Sequence, residues 1–251
     1  RPGDRLFTRY FLSGCDAYVC MSDQVQRDLR KFEPHKPVQK VWHPLYDNFG
    51  AAVEKNAARA HLHLPEGEKI VLFFGFIRAY KGLDILFRAL HLLKRSSYSV
   101  PGSAPGRAGF KVVVAGEFYE NRDHYDSLIR ELQIEDMLIL KTDFIPDQEV
   151  KYYFCAADVV VQPYRSATQS GVTPLAYHFE KPMIVTRVGS LPDLVPDEKV
   201  GLVCPPDEEG VALALKRFFA LGEPHFLPHL RVEKQKYSWN NLVTALTSFE
   251  P

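Results

Sequence analysis

The chain has no excess of charge of either sign. Its 31 basic side chains meet 31 acidic ones over 251 residues, so it carries no electrostatic footprint for nucleic acid. Long hydrophobic runs are missing too. No stretch approaches the roughly 18–20 apolar residues that cross a bilayer, and Arg1, Pro2, Gly3 and Asp4 bring no apolar signal-peptide core. A cytoplasmic protein without a transmembrane segment is expected, and a peripheral membrane contact is compatible with that. The few cysteines, Cys15, Cys20, Cys155 and Cys204, sit among apolar neighbours without Cys-x-x-Cys or Cys/His spacing. Buried reduced thiols are expected rather than a zinc centre. With no His-Glu-x-x-His arrangement either, no metal site is expected. A Walker A sequence and a Gly-x-Gly-x-x-Gly sequence are both absent, which removes the main support for kinase-like and dehydrogenase chemistry.

What the chain does contain is an alternation. Short apolar runs at residues 70–74, 111–115, 137–140, 159–162, 183–186 and 202–204 are bounded by turn formers, as in parallel strands buried on both faces. Between them apolar residues recur at threes and fours: Leu83, Leu86, Phe87 and Leu90; Tyr125, Leu128, Ile129 and Leu132; Val150, Tyr153, Phe154 and Ala157 behind an expected N-cap at Asp147. Val172, Leu175, Ala176 and Phe179 continue the series, followed by Val211, Ala214, Leu215 and Phe218. Right-handed crossovers turn such an order into an α/β fold with a doubly wound, parallel, six-stranded Rossmann-like sheet whose ligands bind beyond the carboxyl ends of the strands. The Ser/Pro/Gly-rich stretch 96–109 reads as a mobile surface loop.

Residues 1–45 read as a smaller unit, the closing piece of another α/β domain: an amphipathic helix, a strand over 17–21, a Ser22-capped helix through Leu29, and a short strand over 38–42 before His43-Pro44. Residues 46–66 would link it, through a helix, to the large domain at 67–225, and 226–251 would form a tail with a last helix around Trp239, Leu242, Val243 and Leu246. His43 reads as a packed hinge residue. The chain opens within an amphipathic pattern (Leu6, Phe7, Tyr10, Phe11), so a piece of something longer is expected.

Two loops could carry chemistry. After the first strand of the large domain comes Gly75-Phe76-Ile77-Arg78-Ala79-Tyr80-Lys81-Gly82. Glycine lets the backbone turn at the strand end, and Arg78 and Lys81 are then presented near a helix start, which suits an anion. Two solvated surface cations are the alternative. After the fourth strand comes Gln162-Pro163-Tyr164-Arg165-Ser166-Ala167-Thr168-Gln169-Ser170-Gly171-Val172, a small polar loop entering a helix at the same sheet edge, with Pro174 tolerable in the first turn. A plain Ser/Thr cap would account for this loop equally well.

Taken together, residues 74–90, 113–116, 144–158, 164–179 and 182–201 resemble the C-terminal domain of the family 4 (group 1) glycosyltransferases, which have the GT-B fold. Asp16-Ala17-Tyr18-Val19-Cys20-Met21-Ser22 and His43-Pro44 are similar to the end of that family's N-terminal domain. The resemblance implies retaining transfer of a sugar from a nucleoside-diphosphate sugar to an acceptor such as a glycan, a lipid-linked group or a small molecule. It implies no further cofactor. It gives Arg78 and Lys81 the catalytic and diphosphate-binding role, together with Gly75 and the backbone of Gln169, Ser170, Gly171 and Val172. Asp143, Phe144, Ile145 and Thr168 would meet the nucleobase or ribose, although Phe144 and Ile145 could instead simply plug the sheet edge. Gly189-Ser190-Leu191-Pro192-Asp193 matches an architectural loop. No Asp-x-Asp pair occurs, which fits a metal-independent enzyme.

One departure stands out. Where the family carries two glutamates eight positions apart, this chain has Ala167 and Leu175, and nearby Glu180 points elsewhere on the helical period. Two alternatives therefore stand beside a transferase reduced to its donor half: another GT-B enzyme, such as a sugar-nucleotide epimerase or a phosphorylase, or a non-catalytic nucleotide-sugar-binding module. With most of the acceptor-side domain absent, donor binding without transfer is the expected behaviour.

Overall fold

Val71 and Phe73 belong to one hydrophobic cluster and Ile70 and Leu72, on the same strand, to another, and all four are buried. Burial on both faces means that helices cover the strand on both sides, which is why its sequence is continuously apolar instead of alternating with polar residues. The computed structural model describes residues 3–46, 48–104, 106–168 and 170–249.

The leading piece comprises helix α1 (Asp4–Ser13), strand β1 (Tyr18–Cys20), helix α2 (Asp23–Arg30) and strand β2 (Val38–Lys40), the two strands pairing in parallel. Ser22 caps α2 as expected, accepting a hydrogen bond from the Val25 amide at 3.2 Å. Helix α3 (Lys55–His61) lies in the linker. The large sheet then alternates β3 (Lys69–Phe74), α4 (Leu83–Arg95), β4 (Phe110–Ala115), α5 (Arg122–Leu132), β5 (Leu138–Lys141), α6 (Asp147–Ala156), β6 (Val159–Gln162), α7 (Val172–His178), β7 (Met183–Thr186), α8 (Leu191–Leu194), β8 (Gly201–Cys204) and α9 (Glu208–Leu221). Helices α10 (Glu223–Lys234) and α11 (Trp239–Thr247) follow. No helix among the described residues is long and apolar enough to cross a membrane.

All six large-sheet strands are parallel, in the order β5-β4-β3-β6-β7-β8. The chain winds outward from β3 to one edge, returns to place β6 beside β3, and winds outward again. Between β3 and β6 the winding reverses, and that opens a crevice beyond the carboxyl ends of these two strands.

Several local expectations shift. Met137 closes a short 3-10 turn (Glu135–Met137), so β5 starts at Leu138. Pro146, extended at φ −60° and ψ 147°, takes the N-cap position, and Asp147 becomes the first helical residue instead of the cap. The loop expected to be mobile is pinned where described: the Val100 amide donates to the Ala108 carbonyl at 2.9 Å, and Val100 is buried in the core. Part of the expected tail is α10, hidden in the sequence by Pro224 and Pro228. Pro224 fits the first turn, and the bond Pro228 cannot donate would have gone to Pro224 itself. Leu230 and Tyr237 join the core, and the Tyr237 carbonyl accepts from the Leu45 amide at 3.0 Å, tying the end of the leading piece to the C-terminal segment.

A buried ionic knot fixes the opposite end of the sheet. Asp158, 2% exposed, accepts from Arg59 at 2.7 Å, from Lys55 at 3.1 Å and from the Ile70 amide at 2.7 Å. Burial alone would raise its carboxyl, but Lys55, the Ile70 amide, Arg59 and Lys69 together hold it below the usual carboxylate range. Lys55 also pairs with Glu223, which meets Lys181 at 3.0 Å, so α3, α10 and the start of β7 share one network.

Candidate functional site

At the switch point the strand ends present their loops to one cavity of about 310 Å³. Gly75, just past β3, has φ +95°, open to glycine at little cost. The next strand approaches so closely that a Cβ on Gly116 would sit 2.6 Å from the Gly75 carbonyl oxygen. The chain then makes a 3-10 turn (Ala79–Lys81) and enters α4 through Gly82, whose missing Cβ would fall 2.0 Å from the Pro163 carbonyl oxygen. Gly82 therefore locks the two candidate loops together.

Of the residues singled out in sequence, Gly75, Lys81, Phe144, Ile145, Ser170, Gly171 and Val172 line this cavity. The ammonium of Lys81 is its main electrostatic feature. The residue is 8% exposed, and among the described residues Nζ has no hydrogen bond or ion pair, only the Tyr164 ring with its centroid 5.8 Å away. Burial, and secondarily the Arg78 charge, pushes the Lys81 amine down to about 8. A buried cation with no protein anion beside it suits a bound anion.

The remaining candidates lie outside the lining. Arg78 is exposed and stacks over Tyr119, 4.9 Å from the ring centroid, and Tyr119 in turn packs on Phe76 at 4.5 Å. Asp143 is exposed. Thr168 borders a neighbouring open groove with Arg165, Ala167 and Gly189, and its carbonyl accepts from the Ser190 hydroxyl. Gln169 lies outside the described residues. Arg165 is not a spare cation, because it pairs with Asp84. His43 contacts Tyr46, with ring centroids 5.0 Å apart, at the seam between the leading piece and the large domain.

The loop into α7 is held from within. Gln162, 1% exposed, accepts from Ser170 Oγ at 2.6 Å and from Thr173 Oγ1 at 3.2 Å, and Ser170 Oγ accepts from the Val172 amide at 3.2 Å. One amide expected to face an anion is therefore engaged locally. Leu175 lines the cavity as an apolar wall, and Ala167 is half-buried. Glu180 turns away to pair with Arg231 at 2.8 Å and Lys234 at 3.4 Å.

The sequence reading missed Phe49, Glu117, Tyr80 and Tyr164 as lining residues, and it gave Asp147 only a capping role. Glu117 follows a strand end as Phe76 does, a signal that could have been used; Phe49 comes from the linker and carried none. In α10, His225 and His229 stand one turn apart, but no group of three or more metal-type side chains assembles among the described residues.

Six parallel strands, a crevice where their winding reverses and a buried cation inside it define a doubly wound α/β protein with a candidate ligand cavity at its switch point. The chain belongs to the glycosyl transferases group 1 family, whose profile matches residues 68–220. Its fold is that of the GT-B glycosyltransferases. It is 33% identical over 200 residues to D-inositol 3-phosphate glycosyltransferase of Saccharomonospora viridis, covering 76% of this chain and 44% of that protein. An uncharacterized glycosyltransferase of Methanocaldococcus jannaschii is 26% identical over 195 residues, covering 75% of this chain and 46% of its own length. The chain thus spans less than half the length of these relatives.

Among solved structures, sucrose-phosphate synthase from Thermosynechococcus elongatus superposes with a TM-score of 0.78 at 22% identity, covering 99% of this chain and 60% of that one. HepE of Anabaena in complex with UDP-glucose gives 0.72 at 15% identity, with 93% and 62% covered. At these identities the superpositions speak for the fold.

Proposed function

We propose that this chain carries the donor site of a retaining, metal-independent transferase of the family 4 kind, which moves a sugar from a nucleoside-diphosphate sugar to an acceptor. The observation that carries the reading is Lys81: a buried ammonium without a protein partner, lining the cavity at the β3/β6 switch point. As the glycosidic bond to the donor phosphate breaks, negative charge builds on the departing diphosphate. A cation already fixed in a water-poor site stabilises that charge without having to reorganise. Exposed Arg78 would swing in as a second, bidentate contact. Phe144 and Ile145 offer an apolar wall to the base, and Asp143 and Thr168 flank the site from outside the lining. The bound UDP-glucose of HepE supports a nucleotide-sugar donor, and the lack of an Asp-x-Asp pair supports chemistry without a metal.

A second reading, a nucleotide-sugar-binding module without turnover, is favoured by Ala167 and Leu175 standing where the family carries glutamates. Calorimetric titration with UDP, GDP and ADP tests the site. Binding of at least one in the millimolar range or tighter is expected, with loss in the Arg78→Ala, Lys81→Ala double variant. Unchanged binding in that variant refutes the assignment. Sugar transfer by the full-length protein, against binding alone, separates the two readings.

A further inference from the structure

Two carboxylates line the cavity, Glu117 and Asp147, and neither has a hydrogen bond or ion pair among the described residues. A pair of acids would mean little alone. Here they share a cavity with the buried, unpartnered ammonium of Lys81, so the ligand that fits is anionic at one end and a hydrogen-bond donor elsewhere.

The two acids follow different strands: Glu117 comes after β4, next to β3, and Asp147 after β5, two strands away from β3. Glu117 follows Gly116, which presses on Gly75, and a Cβ on Gly75 would be 3.0 Å from Lys81 Nζ. The Ile77 amide donates to the Glu117 carbonyl at 2.7 Å, so this strand end runs alongside the cationic loop. Asp147 instead opens α6, next to the wall formed by Phe144 and Ile145 and one turn before Val150, which also lines the cavity. On the other side of β3, the helix that follows β6, α7, lines the cavity with Val172 and Leu175, and the Ser170 hydroxyl is already engaged with Gln162 and the Val172 amide. Of the two lining carboxylates, Asp147 is therefore the one that the strand order sets farther from the cationic loop after β3.

We propose that the Asp147 carboxylate accepts the vicinal hydroxyls of the ribose when a nucleoside diphosphate is bound with its phosphates at Lys81. The inference rests on the donor-site reading above. A carboxylate has two oxygens and only accepts hydrogen bonds, so it matches two adjacent O–H donors, whereas a second phosphate or a carboxylate on the ligand would be repelled.

The test compares UDP, GDP and ADP with their 2′,3′-dideoxy counterparts by calorimetry, using the chain as it stands and its Asp147→Asn, Glu117→Gln and Lys81→Ala variants. Asp147 is exposed at a helix start, so Asn is expected to leave folding intact, and thermal melting checks this. The expected result for the nucleotide that binds is a loss of roughly tenfold on Asp147→Asn, the worth of a charge-assisted hydrogen bond, with no further loss for the dideoxy form. Glu117→Gln should affect both forms alike. Equal affinity of the ribo and dideoxy forms for the unaltered chain overturns the proposal, as does an equal loss of both on Asp147→Asn, or a ribose-dependent loss on Glu117→Gln. If Lys81→Ala leaves all binding unchanged, the donor-site reading itself fails and the proposal falls with it. If Lys81→Ala weakens ribo and dideoxy forms equally while Asp147→Asn changes neither, only the ribose assignment fails.

Discussion

A Cβ on Gly75 would stand 3.0 Å from the ammonium nitrogen of Lys81, on a backbone at φ +95°. The glycine thus serves the turn and the cation together. Gly75→Ala forces a non-glycine residue into the left-handed region, at a cost of roughly 1–2 kcal/mol, and crowds the ammonium. The expected outcome is a melting temperature lower by roughly 2–8 °C for a chain of this size, with weaker binding of nucleoside diphosphate. Unchanged affinity in a correctly folded variant would mean that the position of Lys81 does not matter to the site.

Affinity should also depend on pH. Burial lowers the Lys81 amine to about 8 in the free protein, so the ammonium is present below that value and is lost as pH rises through it. A bound anion favours the charged form, and above pH 8 binding must take up a proton. The dissociation constant is then expected to rise by up to about tenfold per pH unit between pH 8 and 9.5, and Lys81→Met should abolish this dependence. Without ligand the sign reverses for stability. The unfolded chain holds the proton up to the ordinary value of 10.5 and binds more protons than the folded one in that window. The fold therefore gains stability from this group between about pH 8 and 10.5, which calorimetric melts in wild type and Lys81→Met would register.

Much of this arrangement was legible in the sequence, and the limit has a physical cause. Runs such as 70–74 and 159–162 announce themselves because a strand covered on both faces must be apolar throughout, and Ser22 announces a helix start because it serves its own backbone. Lys81 could be found because the chemistry of a cation after a strand end is local. Asp147 and Phe49 could not be assigned to the cavity, because what brings them there is the winding of the sheet and the path of the linker. Helix α10 was obscured by Pro224 and Pro228, whose local preference is overridden by burial of Phe226 and Leu230. The stacking of Arg78 on Tyr119 joins separate loops and has no sequence signature at all.

The knot at Asp158 should govern how the linker helix stays attached. Asp158→Asn leaves Arg59, itself only 8% exposed, without its anion, and removing one partner of a buried ion pair costs about 3–5 kcal/mol. Chemical denaturation should report a loss of that size. Because the Asp158 carboxyl is held below its ordinary value, its contribution is present above about pH 4 and fades as pH falls through the depressed value. The variant should therefore lack part of the wild-type acid transition. Equal acid sensitivity in both proteins would show that the knot contributes nothing to stability.

The last expectation concerns Gln162, which holds the loop into α7 by accepting from Ser170 Oγ and Thr173 Oγ1. Thr173 is fully buried and Ser170 nearly so, so neither hydroxyl can turn to water when its acceptor is removed. Gln162→Leu keeps the bulk and removes the acceptor. Leaving the buried Thr173 hydroxyl without its acceptor costs about 1–3 kcal/mol, but the local effect is more diagnostic than the global one. Once released, Ser170 Oγ no longer orients toward the Val172 amide, which it now meets at 3.2 Å. Hydrogen exchange at Val172 is expected to accelerate more than exchange in β6 or β7, and nucleoside-diphosphate affinity should fall alongside. If that amide stays as protected as in wild type while overall stability drops, Gln162 packs the sheet end without holding the loop, and the cavity wall formed by Ser170, Gly171 and Val172 owes its shape to other contacts, such as Gly82 against Pro163 and the Ser190 hydroxyl on the Thr168 carbonyl.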